Sequence, residues 1–264
     1  MSEIVKTITT NEFTMDYVSF GKGERALIII PGLSVQSVMG SADAIAQAYD
    51  LLTEDFTLYV FDRRKDLPSS YSVQDMARDT AAAIKELGLN EVSIFGASQG
   101  GMIAMLIAID NPGLVSKLIL GSTSSCISKE IYATIENWIG LARNKDAKGL
   151  YFAFGEALYP KEIFDQSGEL LTQMASTVTP EELERFIILA KSMDGFDITS
   201  GLSGITCPAL ILGDNDDRVL GPEASDVIAK NLGGDTDIYM YDGFGHAVYD
   251  LAPDYRERML SFLR

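Results

Sequence analysis

The sequence holds one histidine, one tryptophan and two cysteines among its 264 residues, and none of its apolar runs approaches the length of a membrane span. Each scarcity removes a class of function. A lone histidine and two isolated cysteines, Cys126 and Cys207, cannot supply the usual zinc sets, so no metal site is expected. Asp214-Asn215-Asp216-Asp217 begins like a calcium loop. It fails where Arg218 and Val219 stand in place of an oxygen ligand and a glycine. Neither G-x-G-x-x-G nor G-x-x-x-x-G-K-[ST] occurs, so no nucleotide and no other cofactor is expected. Positive charge is also short. With 21 Lys and Arg against 38 Asp and Glu, the formal net charge is −17, and nucleic acid or an anionic membrane would be repelled as a partner. No basic and apolar leader pattern opens the chain, and the two cysteines are expected as reduced thiols, which makes a cytoplasmic location the expectation.

What is present is apolar. Aliphatic and aromatic residues make up 47% of the chain, enough for one large core. Residues 4–9, 13–20 and 25–30 read as strands, the first two as an antiparallel start. Ala26 to Ile30 is a continuous apolar run of the kind a strand buried on both faces requires. Residues 38–52 read as a helix and 56–61 as another buried strand. Ser72, with Asp75 three residues later, starts a further helix that stops at Gly88. Strand–helix alternation of this kind predicts a parallel sheet covered on both sides. It stops after Gly121. Residues 128–143, 146–159, 161–177 and 180–193 read as helices, the last with Thr179, Pro180 and Glu182 as an N-terminal signature. Alternation resumes at 208–213 and continues with a helix near 222–232, a strand near 236–241 and a helix from about 253 to 263. A helical insertion in a parallel sheet is expected to lie over one edge of it.

One stretch carries the chemistry. Val92 to Phe95 reads as a buried strand, Gly96-Ala97-Ser98-Gln99-Gly100-Gly101 as a turn of small residues, and Met102 to Ile109 as a buried helix. The G-x-S-x-G spacing suits a turn too tight for a side chain two residues either side of the serine. It presents the Ser98 hydroxyl at a helix N-terminus, where free N–H groups favour developing negative charge. A serine hydroxyl needs a base, and the single histidine, His246, lies between the last strand and the last helix. In a parallel sheet that loop emerges at the same edge as Ser98. An acid must hold the imidazole, and the loop after Gly213 offers Asp214, Asp216 and Asp217. The residues alone leave these three open. The backbone N–H of Gln99, next to the nucleophile, and that of Leu33, after the early strand, are the candidate oxyanion donors. Gly32, Trp138 and Phe152 are candidates for binding substrate.

These segments resemble the α/β-hydrolase superfamily, in its capped, single-domain esterase, lactonase and C–C hydrolase branch. Ile29 to Leu33 looks like that family's H-G oxyanion segment, with Pro31 where histidine is usual. Phe61 to Arg64 looks like its D-x-R-G-x-G turn, with Lys65-Asp66-Leu67 replacing the glycines. Gly96 to Gly101 matches the elbow, Pro208 to Asp216 the acid segment, and Gly245-His246-Ala247 the histidine loop. The resemblance implies an α/β fold with a mostly parallel, roughly eight-stranded sheet. Its core would span 1–122 and 205–264, with a helical cap at 123–204. It implies Asp216 as the acid of a Ser98–His246 triad. With the apolar, aromatic-rich insertion as its cap, a carboxylesterase-like hydrolase of small to medium, mainly apolar carboxylic esters, thioesters or lactones is expected. The same fold hosts C–C hydrolases, acyltransferases and slow ligand sensors. A small-molecule substrate is expected, with the protein a monomer or homodimer.

Overall fold

The computed structural model describes residues 5–264. Residue 4, the expected start of the first strand, lies outside them. Eight strands form one sheet: β1 (Val5–Thr9), β2 (Thr14–Gly21), β3 (Arg25–Ile30), β4 (Phe56–Arg64), β5 (Val92–Ala97), β6 (Val115–Gly121), β7 (Ala209–Asp214) and β8 (Thr236–Tyr241). Their spatial order is β1-β2-β4-β3-β5-β6-β7-β8, antiparallel at β1 and β2 and parallel from β4 onward. The carboxyl ends of seven strands, all but β2, therefore share one edge. The order reverses at β3, which pairs with both β4 and β5, and ligands of open parallel sheets bind beside such a switch point.

Alternation along each strand divides the core in two. Ile28 and Ile30 of β3, Ile94 of β5 and Leu118 and Leu120 of β6 face one side. Leu27, Ile29, Phe95 and Ile119 face the other. The first side is covered by α2 (Val73–Glu86), α3 (Gln99–Asp110) and α8 (Glu223–Asn231), the second by α1 (Ala42–Ala48), α9 (Val248–Leu251) and α10 (Tyr255–Leu263). Helix α3 is buried nearly all round because it lies under the insertion as well as on the sheet. Helix α2 starts where its sequence says it should. The Ser72 hydroxyl accepts from Asp75 N–H, and the Asp75 carboxylate accepts from Ser72 N–H.

The helix expected over 38–52 is broken. A 3-10 turn spans Val38–Ser41, started by the Ser37 hydroxyl accepting from Met39 N–H; α1 follows, and a second 3-10 turn spans Asp50–Leu52. Local capping by Ser37 and the burial of Tyr49 at the helix end compete with continuous α geometry here. Cys126 and Cys207 are free, half-buried thiols.

Between β6 and β7 come α4 (Lys129–Arg143), α5 (Ala147–Leu158), α6 (Lys161–Ala175) and α7 (Pro180–Lys191). The chain enters and leaves this insertion side by side: Ile127 N–H donates to Phe196 O at 2.8 Å and Ile198 N–H to Ser125 O at 2.9 Å. Thr179 and Glu182 form the capping box that starts α7. Ala247 N–H donates to Leu158 O at the end of α5 (3.1 Å), so the insertion rests on the carboxyl edge of the sheet. Among the described residues, no helix is long and apolar enough to cross a membrane.

Candidate active site

The turn after β5 is as tight as its glycines imply. A Cβ on Gly100 would lie 1.9 Å from Ile30 O, and one on Gly96 would lie 2.4 Å from Gly100 O. Ser98 itself takes φ 52° and ψ −122°, a conformation that a non-glycine residue adopts only when its surroundings impose it. Those surroundings are visible. Ser98 N–H donates to Gly121 O at 2.9 Å, and its carbonyl accepts from the Thr123 hydroxyl at 2.6 Å. The strained turn is thus anchored to the end of β6.

His246 is 2% exposed and lies with Nε2 2.9 Å from Ser98 Oγ. Its Nδ1 lies 2.8 Å from Asp217 Oδ2. The other Asp217 oxygen accepts from Val219 N–H at 2.8 Å and Leu220 N–H at 3.0 Å, so the carboxylate is satisfied although it is buried. Burial alone would raise the Asp217 pKa. The facing His246 and the Leu220 and Val219 N–H groups outweigh it and hold the carboxyl below its ordinary value. One continuous chain of hydrogen bonds runs from Ser98 through His246 to Asp217.

That geometry moves the expected acid by one residue. Asp216 is exposed, and its carboxylate accepts from Gly243 N–H at 2.8 Å rather than facing the imidazole. The cause is the turn at the end of β7. The buried Asp214 accepts from Asp216 N–H with its carboxylate (2.8 Å), and its carbonyl accepts from Asp217 N–H at 3.2 Å. This turn aims residue 216 outward and residue 217 at the ring. A family spacing counted from Gly213 misses the turn by one position. The local signal was apolar: Val219 and Leu220 follow Asp217 into the interior, while Asp216 has no buried neighbours of that kind.

A cavity of about 1110 Å³ lies beside Ser98, walled by the Pro31–Met39 loop, α1 and the insertion. Gly32 lines it, and a Cβ there would come within 3.1 Å of Ser98 Cβ, so the absence of a side chain leaves room over the hydroxyl. Leu33 also lines it. Gln99 is the first residue of α3, so its N–H has no acceptor within the helix. The other two substrate candidates are corrected. Trp138 is 3% exposed and stacks edge-on against Phe154 at 4.8 Å, while Phe152 stacks on Phe164 at 5.8 Å; neither wall faces the cavity. Helix phase explains it. Tyr151, Phe154, Gly155 and Leu158 of α5 line the cavity at helical spacing, and Phe152 lies off that face. Tyr249 was not foreseen; it lines the cavity and sets its ring edge on His246 at 6.4 Å. Among the described residues, no cluster of three His, Cys, Asp or Glu side chains suits a metal ion.

The family model Hydrolase_4, described as "Serine aminopeptidase, S33", matches residues 46–250. A putative carbamate hydrolase RutD from Rhizobium rhizogenes is 25% identical over 249 residues, covering 91% of this chain and 93% of the relative. The human serine hydrolase BPHL is 24% identical over 269 residues, covering 97% and 85%. Among solved structures, the α/β hydrolase MGS-M2 from a Medee basin deep-sea metagenome library superposes with a TM-score of 0.87 at 20% identity, covering 98% of this chain and 97% of its own. The enol-lactonase of Burkholderia xenovorans superposes with a TM-score of 0.82 at 16% identity, covering 98% and 99%.

Proposed function

The chain belongs to the serine aminopeptidase S33 family within the α/β-hydrolase superfamily, and from that premise we propose that it is a serine hydrolase of neutral, mainly apolar carboxylic esters, thioesters or lactones. The observation that carries this reading is the unbroken hydrogen-bonded line Ser98–His246–Asp217 beside a cavity.

In the proposed reaction, Ser98 Oγ attacks the substrate carbonyl carbon while His246 Nε2 takes the hydroxyl proton. Asp217 stabilises the imidazolium through Nδ1–H. The carbonyl electron pair moves onto oxygen, which the backbone N–H groups of Leu33 and Gln99 receive. Collapse expels the alcohol, thiol or lactone oxygen, which takes the proton from His246. Water then gives a proton to His246 and attacks the acyl-enzyme; its collapse returns the proton to Ser98 Oγ and releases the acid. Asp217 with two backbone donors stays ionised throughout, which suits a group that orients rather than transfers protons.

The lining supports the substrate class. Asp16, Asp43, Glu182 and Asp250 contribute to the cavity wall, with no lysine, arginine or histidine from among the described residues, and the remaining wall is largely aliphatic and aromatic. Neutral acyl donors suit such a space better than anionic ones. The insertion, as a cap, would exclude water from it.

Labelling with a fluorophosphonate tests the reading. Stoichiometric labelling of the parent, lost in Ser98→Ala and His246→Ala, is expected, followed by turnover of 4-nitrophenyl esters. No labelling of the folded parent would refute it.

A further inference from the structure

Arg63 is a buried cation that the reaction scheme does not use. It is 4% exposed, and no carboxylate lies within ion-pair distance of its guanidinium among the described residues, since its neighbour Asp62 is engaged by Arg185 of α7 and by the Ser37 hydroxyl. Burying a cation without a paired anion costs several kcal/mol. Burial lowers its pKa to about 10, with Asp62 pulling it up and Arg185 pushing it down, so it stays cationic at neutral pH.

Among the described residues its guanidinium has two hydrogen-bond partners. One guanidinium nitrogen donates to Pro31 O at 2.8 Å and to Gln99 Oε1 at 3.3 Å. Pro31 precedes Gly32 and Leu33, and Gln99 follows Ser98, so the same cation touches both segments that carry the candidate oxyanion donors. A peptide plane is rigid, and its C=O and N–H point opposite ways. Fixing Pro31 O therefore fixes the Pro31–Gly32 plane, one residue before the Leu33 N–H. Pro31 O also lies against the elbow, 2.6 Å from where a Gly100 Cβ would stand. Beyond Gln99 the contact continues: Gln99 Nε2 donates to Leu189 O at 2.8 Å and Ser192 Oγ at 3.2 Å, at the end of α7. The loop, the elbow and the insertion meet at one buried guanidinium.

We propose that Arg63 is a positioning residue for the oxyanion site, locking the Pro31–Leu33 backbone against Gln99 so that both N–H donors converge before substrate arrives. The inference rests on the serine-hydrolase reading above. Arg63 touches no reacting atom; it acts on the transition state by holding the donors still. Its loss should lower kcat and leave KM nearly unchanged, because the oxyanion forms only after binding.

The test compares the parent with Arg63→Gln and Arg63→Lys, using fluorophosphonate inactivation rates and kcat and KM for one neutral ester. Thermal melting establishes folding. Arg63→Lys keeps a cation but ends about one bond short of Pro31 O and Gln99 Oε1, and is expected to lose about 10-fold in kcat and in inactivation rate. Arg63→Gln is expected to lose on the order of 10²-fold or more, the scale of one lost oxyanion donor. Should Arg63→Gln not fold, Arg63→Lys decides. Unchanged kcat and inactivation rate in a folded variant, or a rise in KM with kcat retained, would overturn the inference while leaving the hydrolase reading intact. A parent that takes up no fluorophosphonate would overturn both.

Discussion

Phe244 N–H donates to the wholly buried carboxylate of Asp214 at 3.0 Å, and this bond hangs the loop carrying His246 on the loop carrying Asp217. Asp216 adds a second tie through Gly243 N–H, and Asn215 a third through Asp242. The run Asp214 to Asp217 thus divides its labour. One carboxylate sets the turn, one holds the neighbouring loop from outside, and one faces the imidazole.

Substitution should separate these roles. Asp217→Asn is expected to lower kcat by about 10²- to 10⁴-fold, because an amide neither enforces the imidazole orientation nor stabilises its cation. Asp216→Asn keeps an acceptor for Gly243 N–H and should stay within a few-fold of the parent. Asp214→Asn replaces one of the two buried side-chain oxygens that accept from backbone N–H groups with an amide donor and should cost roughly 1–3 kcal/mol of stability. Steady-state kinetics and urea melts check all three, and a larger kinetic loss at 216 than at 217 would reject the assignment.

The depressed Asp217 pKa carries a stability signature with a fixed sign. A carboxyl whose folded value lies below its unfolded one stabilises the protein above the unfolded value, about 3.9, and that contribution is lost as pH falls through the folded value. The stability gap between the parent and Asp217→Asn should therefore close as pH falls below about 4. Unfolding free energies from denaturant titrations at stepped pH measure it. A gap that stays open well below about 4 would contradict the ionised, hydrogen-bonded carboxylate.

The elbow makes a steric prediction. Gly100→Ala drives a methyl to 1.9 Å from the Ile30 carbonyl oxygen and 2.6 Å from that of Pro31, backbone at the end of β3 with nothing flexible to yield. A loss beyond about 4 kcal/mol, or no folded protein, is expected. Gly40→Ala, where nothing lies within 4 Å, is the control and should be neutral within about 0.5 kcal/mol. Comparable melting temperatures for the two would mean that the turn is looser than described.

These residues also mark how far the sequence can be read. Period and small-residue spacing revealed the sheet, the four inserted helices and Ser98, because buried strands and elbows leave no alternative side-chain pattern. His246 followed from scarcity. Asp217 did not, since a one-residue turn inside Asp214–Asp217 changes which carboxylate faces inward without changing composition. Phe152 and Trp138 failed for a related reason: aromatic content marks a helix as packed, and only its rotation decides whether a ring meets a cavity or another helix. Arg63 was invisible because its partners are a carbonyl 32 residues earlier and an amide 36 residues later.

The charge of the cavity leads to a prediction about substrate choice. Asp16, Asp43, Glu182 and Asp250 line it, with no cationic side chain from among the described residues. Asp16 is partly compensated by Lys65 at 2.8 Å and Asp250 by Arg256 at 4.0 Å. A carboxylate about 8 Å from one uncompensated charge meets about 2 kcal/mol of repulsion at an effective dielectric of 20, and compensation reduces this to about 1 kcal/mol. The 4-nitrophenyl ester of hexanoate and the 4-nitrophenyl monoester of adipate have equal acyl length and differ in one terminal charge. The neutral ester should be favoured in kcat/KM by about 5-fold or more. Added salt should narrow the difference by screening, as should Asp250→Asn. Equal kcat/KM values at low ionic strength would mean that the acyl chain does not enter this cavity, and the apolar substrate class would lose its main support.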